Sequence, residues 1–344
     1  MSNRKALPRM ADVAKAAGVS SMTVSRALRG DASVTETRRA DILKIAQEMG
    51  YILNRGASEL RTRRTGFVAV TVPSINNPNF ADSVRGLTDV LEQVGLQVLL
   101  GFTDYSVDDE ERMIGQLLRR KPEALVVTGG THTDGARALL ANASIPVVET
   151  WDEPDAPIGY SVGFSNADAG ARMARHLIKH GRRRIAFIGC DTGTDFRGEA
   201  RSRGFFESVG QYGLETHRLI EAGKPPLGAQ EGAQAAKTLL ETYPDTDAVM
   251  CVADSVAFGA MTAFQRLGIA VPDQIAIAGF GAYDVSAFTT PAITTIEPHA
   301  LQIGVLTGKL IARLLGPESD EPPVSHTGRA PTLIMRESTT GDSA

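Results

Sequence analysis

The stretch DVAKAAGVSSMTVSRAL, residues 12–28, sets the problem. Two short segments of helical periodicity meet at Gly18, and the second carries polar side chains on its outward stripe. In the first, predicted over 10–17, Val13, Ala14 and Ala17 share one face. Gly18 stops it, because glycine takes the left-handed conformation that a tight turn demands. Ser20 is a good N-cap for the second helix, predicted over 21–29. There Val24 and Leu28, at i and i+4, face inward with Ala27. Ser21, Met22, Ser25, Arg26 and Arg29 are left outside. A third helix, predicted over 35–49, buries Ile42, Ile45, Ala46 and Met49. Two helices joined by a glycine turn, the second exposing small polar and basic groups, spell a helix-turn-helix.

The distribution of charge indicates what that stripe meets. Residues 1–64 hold 13 Lys and Arg against 6 Asp and Glu, whereas the remainder holds 23 against 34. A basic head on an acidic body points to a polyanionic partner. Double-stranded DNA comes first and an anionic membrane surface second. The head's apolar residues are consumed by its helical periodicity, which counts against the membrane. In a major groove Arg26 can give two hydrogen bonds to a guanine, while Ser21 and Met22 touch neighbouring base edges and Ser25 shares their stripe. Thr23, Ser33, Thr35, Tyr51 and Asn54 are spaced to bond phosphates and fix the register. The competing reading is a plain three-helix subdomain with a solvated face, and the basic excess weighs against it.

The chain of 344 residues is 42% hydrophobic and 22% charged, enough for a large core in two or three domains. No apolar run approaches the roughly 18 residues of a membrane span. MSNRKALPRMADVAK, residues 1–15, is basic with no apolar stretch behind it, so no signal peptide is expected. The expected location is the cytoplasm, in association with the nucleoid. Cys190 and Cys251 both fall in strand-like runs and read as buried thiols. No metal and no cofactor is expected. No catalytic constellation emerges either: GTDFRGE and TGGTHTDG have glycines but lack the strand–GxGxxG–helix setting of a phosphate loop. An enzyme is not expected.

From Gly66 the pattern changes. GFVAVTV, LQVLLGF, EALVVTGG, IPVVET, RIAFIGC, DAVMCVA and IAIAGFG are short aliphatic runs, as for strands covered on both faces. Helix-length stretches such as 79–94 and 166–180 lie between them. This alternation predicts an α/β fold, with parallel sheets flanked by helices built twice into two lobes. The expected division is a head over 1–53, a linker over 54–64 and a core over 65–344. Within the core, the first lobe takes about 65–164 and 294–325, and the second takes 165–293 and 326–340.

ADVAKAAGVSSMTVSRAL, followed by VTETRRADILKIAQEMGYILNRGASEL, resembles the DNA-binding head of the lactose-repressor family of bacterial transcription regulators. The Asp-Val-Ala opening, Gly-Val-Ser, Thr-Val-Ser-Arg and Gly-Tyr-x-x-Asn occur in order. The resemblance implies a hinge helix at NRGASELR, residues 54–61, that enters the minor groove and carries Ala57. Leu60 matches the family leucine that wedges between base steps, although a leucine closing a short linker is the plainer alternative. Gly56 departs from the usual residue and would weaken that helix by up to about 1 kcal/mol. The core then resembles periplasmic sugar-binding proteins, with a ligand cleft at the carboxyl ends of the strands.

Several residues are candidates for that cleft. Arg201 falls where the family places an effector-binding arginine, and a guanidinium can clamp a carboxylate with two parallel bonds. The competing reading is a solvated arginine near a helix start. Asp254 either accepts ligand hydroxyls or caps the next helix. Ser74, Asn76 and Phe80 follow the first strand, and Trp151 and Asp152 the fourth. Core packing competes for Phe80 and Trp151. Gly281 stands where many family members carry an aspartate, which removes repulsion towards an anionic ligand. Together with THT (131–133), IPVVE, VGFSN and AIAGFG, this resembles the gluconate-repressor branch. His132 is a further candidate for the ligand. The expected function is a repressor, homodimeric or tetrameric, released from palindromic DNA by a sugar acid. A sugar-acid binding protein without regulatory DNA binding is the alternative.

Overall fold

The computed structural model describes residues 8–28, 30–51, 65–317 and 324–341. The chain divides into two units, Met1–Thr65 and Gly66–Ala344. In the first, α1 (Met10–Ala16), α2 (Ser21–Leu28) and α3 (Glu36–Glu48) pack around Val13, Ala14, Val24, Ala27, Val34, Ile42 and Ala46. Leu28, Ile45, Met49 and Tyr51 close the edge of this core, half-buried. Gly18 makes the turn at φ +64°. The Ser20 hydroxyl accepts from the Thr23 amide at 3.1 Å, so it satisfies one of the N–H groups that a helix start leaves open. Asn54, Ala57 and Leu60, with the expected hinge helix, lie outside the described residues, as does Arg29.

The first lobe of the second unit opens with β1 (Phe67–Val72), α4 (Pro78–Gln93), β2 (Gln97–Phe102) and α5 (Val107–Leu118). It continues through β3 (Leu125–Thr128), α6 (Asp134–Ala141), β4 (Val147–Thr150) and β5 (Tyr160–Gly163). The second lobe begins with α7 (Asn166–Lys179), β6 (Ile185–Gly189), α8 (Phe196–Gln211) and β7 (Leu219–Glu221). It is completed by α9 (Ala229–Thr242), β8 (Ala248–Cys251), α10 (Asp254–Arg266), β9 (Ala276–Ala278) and α11 (Asp284–Phe288). The chain then crosses at β10 (Thr295–Glu297), lays α12 (Ala300–Leu315) against α4, and ends in β11 (His326–Gly328), β12 (Thr332–Ile334) and α13 (Glu337–Thr340).

The first sheet has the order β11-β5-β4-β3-β1-β2 and the second β7-β6-β8-β9, all parallel. Continuous β-branched and aliphatic runs form these strands because helices cover both faces, and Val68, Val126, Val148, Phe187 and Val249 are all buried. β1 and β2 pair from Phe67 opposite Gln97 to Val72 opposite Phe102, which brings their carboxyl-end loops side by side at the cleft.

Two boundaries differ from the sequence expectation. Residues 326–328 belong with the first lobe, not the second: β11 pairs in parallel with β5, His326 opposite Ser161. The return crossing is made by β12, antiparallel to β10. Three residues ending in glycine offer no apolar run, so the periodicity misses this strand. Thr294, expected in the first lobe, is still bridged to Ala278 of the second sheet. Glycines also let α7 and α8 pack closely. A Cβ at Gly170 would overlap the Arg201 carbonyl oxygen, and one at Gly204 would overlap that of Ala167.

Candidate functional site

On the head, Ser21, Met22 and Arg26 of α2 are exposed, Met22 at 58%, while Ser25 is half-buried. An exposed methionine of this size is not used by the head's core and is available to a groove. Thr23 shares a hydrogen bond with Ser20 Oγ at 2.9 Å, and Ser33 gives its hydroxyl proton to Asp31 Oδ1 at 2.7 Å. Ser33 can donate to a phosphate only by giving up Asp31, whereas Thr23 can accept from Ser20 and still donate. Thr35 is exposed at the start of α3 and its side chain makes no cap bond. Tyr51 lies against the head core.

Between the lobes of the core is a cleft of about 450 Å³. The loops after β1, β2 and β4 form one wall, with Asn76, Asn77, Phe80, Tyr105 and Trp151. The start of α8 and the loops after β6, β8 and β9 form the other. Phe80 meets Trp151 edge to face at 5.1 Å between ring centroids, Trp151 meets Phe164 at 6.2 Å, and Phe164 meets Phe280 of the second lobe at 6.2 Å. Phe80 and Trp151 are therefore core residues and cleft residues at once. Trp151 is held at φ +68°, an uncommon conformation for a bulky side chain, and its indole N–H donates to Ser83 Oγ at 3.3 Å.

Arg201 is buried against this cleft. Its Nη1 donates to Asn166 Oδ1 at 2.7 Å, its Nη2 to the Val252 carbonyl at 3.4 Å, and Asp195 lies at 3.7 Å. The guanidinium carbon stands 4.1 Å from the centroid of Phe280. Its Nε has no hydrogen-bond partner. Burial pulls the pKa of Arg201 below the ordinary arginine value, and the Asp195 charge opposes this. Arg197, one helical turn earlier, reaches across the cleft instead. Its Nη1 donates to the Thr128 carbonyl of the first lobe at 3.3 Å and its guanidinium lies 5.6 Å from the Phe80 ring centroid. Tyr283 makes a second crossing, its hydroxyl donating to Asn77 Oδ1 at 3.0 Å.

Of the residues named from sequence, Asn76, Phe80, Trp151 and Arg201 line the cleft. Asp152 lines a narrower extension of it and accepts from the Glu153 amide at 3.0 Å. Ser74 is buried in the loop after β1, where its Oγ accepts from the Asn76 amide at 3.1 Å. His132 is elsewhere too. Its side chain is fully buried between two carboxylates, Nδ1 at 2.6 Å from Glu110 Oε2 and Nε2 at 3.5 Å from Glu149 Oε1. Burial alone would lower its pKa, but the hydrogen bonds and charges of Glu110 and Glu149 outweigh it and hold His132 up at about 9. Asp254 neither lines the cleft nor caps α10. It accepts from Thr295 Oγ1 at 2.6 Å and the Tyr283 amide at 2.8 Å, which fastens the crossover strand to the cleft loop. Burial pushes its carboxyl up to about 6, against those hydrogen bonds.

The sequence reading missed Arg197, Asn77, Tyr105, Asn166 and Tyr283. Arg197 was available as the i−4 partner of Arg201 on the same helix face. Tyr105 and Tyr283 follow β2 and β9 at the carboxyl ends of the sheets. Gly281 has φ +125°, and a Cβ there would come within 2.5 Å of the Tyr283 ring, so that ring fills the space a side chain at 281 would need. Cys190 lines the cleft, but burial first and Asp195 second push its thiol up to about 12, so it stays protonated. Among the described residues no cluster of three or more His, Cys, Asp or Glu side chains can hold a metal ion, and no helix is long and apolar enough to cross a membrane.

A helix-turn-helix head followed in the chain by a two-lobed, cleft-bearing core defines a class of DNA-binding regulator. Comparison with known proteins gives the family. The model for bacterial regulatory proteins of the lacI family matches residues 9–54, and that for a periplasmic binding protein-like domain matches residues 174–339. The HTH-type transcriptional regulator GntR of Pseudomonas aeruginosa is 35% identical over 333 residues, 96% of each chain. GntR of Escherichia coli is 31% identical over 314 residues, 91% of this chain and 94% of the relative. A crystal structure of a lacI-family transcriptional regulator from Silicibacter pomeroyi superposes with a TM-score of 0.90 at 33% identity, covering 96% of this chain and 99% of that one. The lac repressor dimer bound to operator shares the fold, with a TM-score of 0.83 at 22% identity over 97% of this chain and 99% of that one. The chain belongs to the lacI family of bacterial regulatory proteins and is similar to its GntR-type members. It is a transcriptional regulator and not an enzyme.

Proposed function

We propose that the protein is a homodimeric repressor, acting in the cytoplasm on the nucleoid, that leaves a palindromic operator when a sugar acid of the gluconate class binds between its lobes. The observation that carries this reading is Arg201, a buried guanidinium lining the cleft with an unpartnered Nε. A buried donor without a partner costs about 1–3 kcal/mol, and a carboxylate is the acceptor that relieves it best. The resemblance of residues 131–133 and of IPVVE, VGFSN and AIAGFG to the gluconate-repressor branch supports the same ligand class.

In this reading α2 enters the major groove. Arg26 reads a guanine, Ser21, Met22 and Ser25 contact adjacent edges, and Thr23, Ser33, Thr35, Tyr51 and Asn54 hold phosphates. Ala57 and Leu60 act in the minor groove at the operator centre. A ligand touching both walls favours one angle between the lobes. It releases DNA only to the extent that it binds the DNA-incompetent state more tightly. The test is selection of duplexes from a random pool at moderate salt, followed by D-gluconate titration of the selected complex. Recovered sequences without two-fold symmetry reject the dimeric repressor. An operator complex indifferent to gluconate and related aldonates rejects the ligand class.

A further inference from the structure

The cleft holds two arginines in different circumstances. Arg201 is held by Asn166, Asp195 and Phe280, with only its Nε left open. Arg197 is half-buried and gives one long hydrogen bond, to a carbonyl of the opposite lobe. Among the described residues no carboxylate forms an ion pair with it. The carboxylates lining the cleft and its extension are all engaged elsewhere. Asp195 faces Arg201, Glu231 accepts from the Gly228 amide at 2.8 Å, Glu110 holds His132, and Asp152 accepts from the Glu153 amide. Room for the guanidinium is built into the first lobe: Gly129 has φ +99°, and a Cβ there would lie 2.8 Å from Arg197 Nη1.

We infer that Arg197 is the residue that selects an anionic ligand. It does so by exchanging its weak bond to the Thr128 carbonyl for the carboxylate of a bound sugar acid, with Arg201 orienting the ligand beside it. The chemistry favours the exchange, because a carboxylate offers the guanidinium two parallel bonds to an ionised acceptor in place of one long bond to a neutral carbonyl. The half-buried setting and the Phe80 ring beneath the guanidinium keep solvent from screening the charge fully. Since Arg197 also bridges the lobes, the group that reads the ligand's charge is the one whose partner in the first lobe changes on binding.

This inference rests on the sugar-acid reading of the cleft, and the experiment separates the two. Binding of D-gluconate and of D-glucitol, the neutral polyol of the same carbon number, is followed by Trp151 fluorescence in the full-length protein and in Arg197→Gln and Arg197→Lys. The wild-type protein should prefer gluconate strongly. In Arg197→Gln the gluconate affinity should fall by about 30-fold or more while glucitol changes by less than about threefold, so the preference collapses. Arg197→Lys, which keeps the charge but not the fork, should retain most of the preference with a weaker affinity. Retention of the wild-type preference by a folded Arg197→Gln protein overturns the assignment of Arg197 and leaves the sugar-acid reading standing. A wild-type protein that prefers glucitol, or binds neither compound, overturns both. If Arg197→Gln melts early, Arg197→Lys decides: loss of discrimination in a lysine variant that melts normally, with gluconate no longer preferred, also overturns the charge-selection role.

Discussion

The head and the core place their functional side chains in opposite settings. On the head, Ser21, Met22 and Arg26 stand in solvent on a helix whose other face is fixed by Val24 and Ala27. In the core, Arg201, Phe80 and Trp151 are buried and line the cleft at once. The difference follows from the targets. A duplex is read by groups projecting from a convex surface, whereas a small molecule must be surrounded by a concave one. Variants of the head's reading face should therefore lose function alone, while variants of the core site should lose function and stability together.

The largest expected effect sharpens that contrast. Arg201→Ala leaves Asp195 and Asn166 facing each other without the guanidinium, and the core should lose about 3 kcal/mol in urea unfolding. Gluconate response should vanish with operator affinity retained. A stable core with intact response sinks the assignment of Arg201.

A comparable effect is expected from pH, because the core buries the His132 cluster between two carboxylates. His132 is held at about 9, above its ordinary 6.5. Its contribution is therefore fully present below about 6.5 and is lost as pH rises through 9, by up to about 1.4 kcal/mol per pH unit in between. Asp254, raised from 3.8 to about 6, works in the same direction at lower pH: stability is lost as pH rises from about 3.8 to about 6 and changes no further above that. His132→Gln should flatten the alkaline limb of the core's stability profile, and an unchanged limb refutes the cluster's role.

Smaller changes are expected on the head. Arg26→Ala should weaken operator binding by about 1–3 kcal/mol and relax the preference at one base position, with melting within about 0.5 kcal/mol of wild type. An unchanged sequence preference in the selected duplexes removes Arg26 as a base reader. Ser20→Ala is the exposed head residue that should break the rule. Its hydroxyl caps α2, so about 1 kcal/mol of head stability should go with it. A head that melts as before would mean that the cap bond contributes nothing.

The sequence carried much of the architecture and less of the cleft, for physical reasons. Seven aliphatic runs became strands because a strand covered on both faces has to be apolar throughout. β5, β7 and β11 have three or four residues each and no such run, so only pairing with a neighbour defines them. The head was readable almost residue by residue, since its glycine turn, cap and periodicity are all local. His132 was misplaced because a loop rich in threonine and glycine gives no sign of burial. The sign lay instead in Glu149, a charged residue in the middle of the buried strand β4, which needs a partner. Asp254 was misread because its partners, Thr295 and Tyr283, are distant in sequence. Arg197 and Tyr283 acquire meaning only when two lobes face each other, a relation that no local window contains.

The close approach of Gly170 to the Arg201 carbonyl gives the sensor a remote adjustment screw. One methyl group on α7, with no atom in the cleft, would push α8 outward and drag both arginines with it. Under the proposed function, selection can thereby reset the ligand dose of the response while every cleft-lining residue stays unchanged, and a Gly170→Ala protein should respond at a shifted dose.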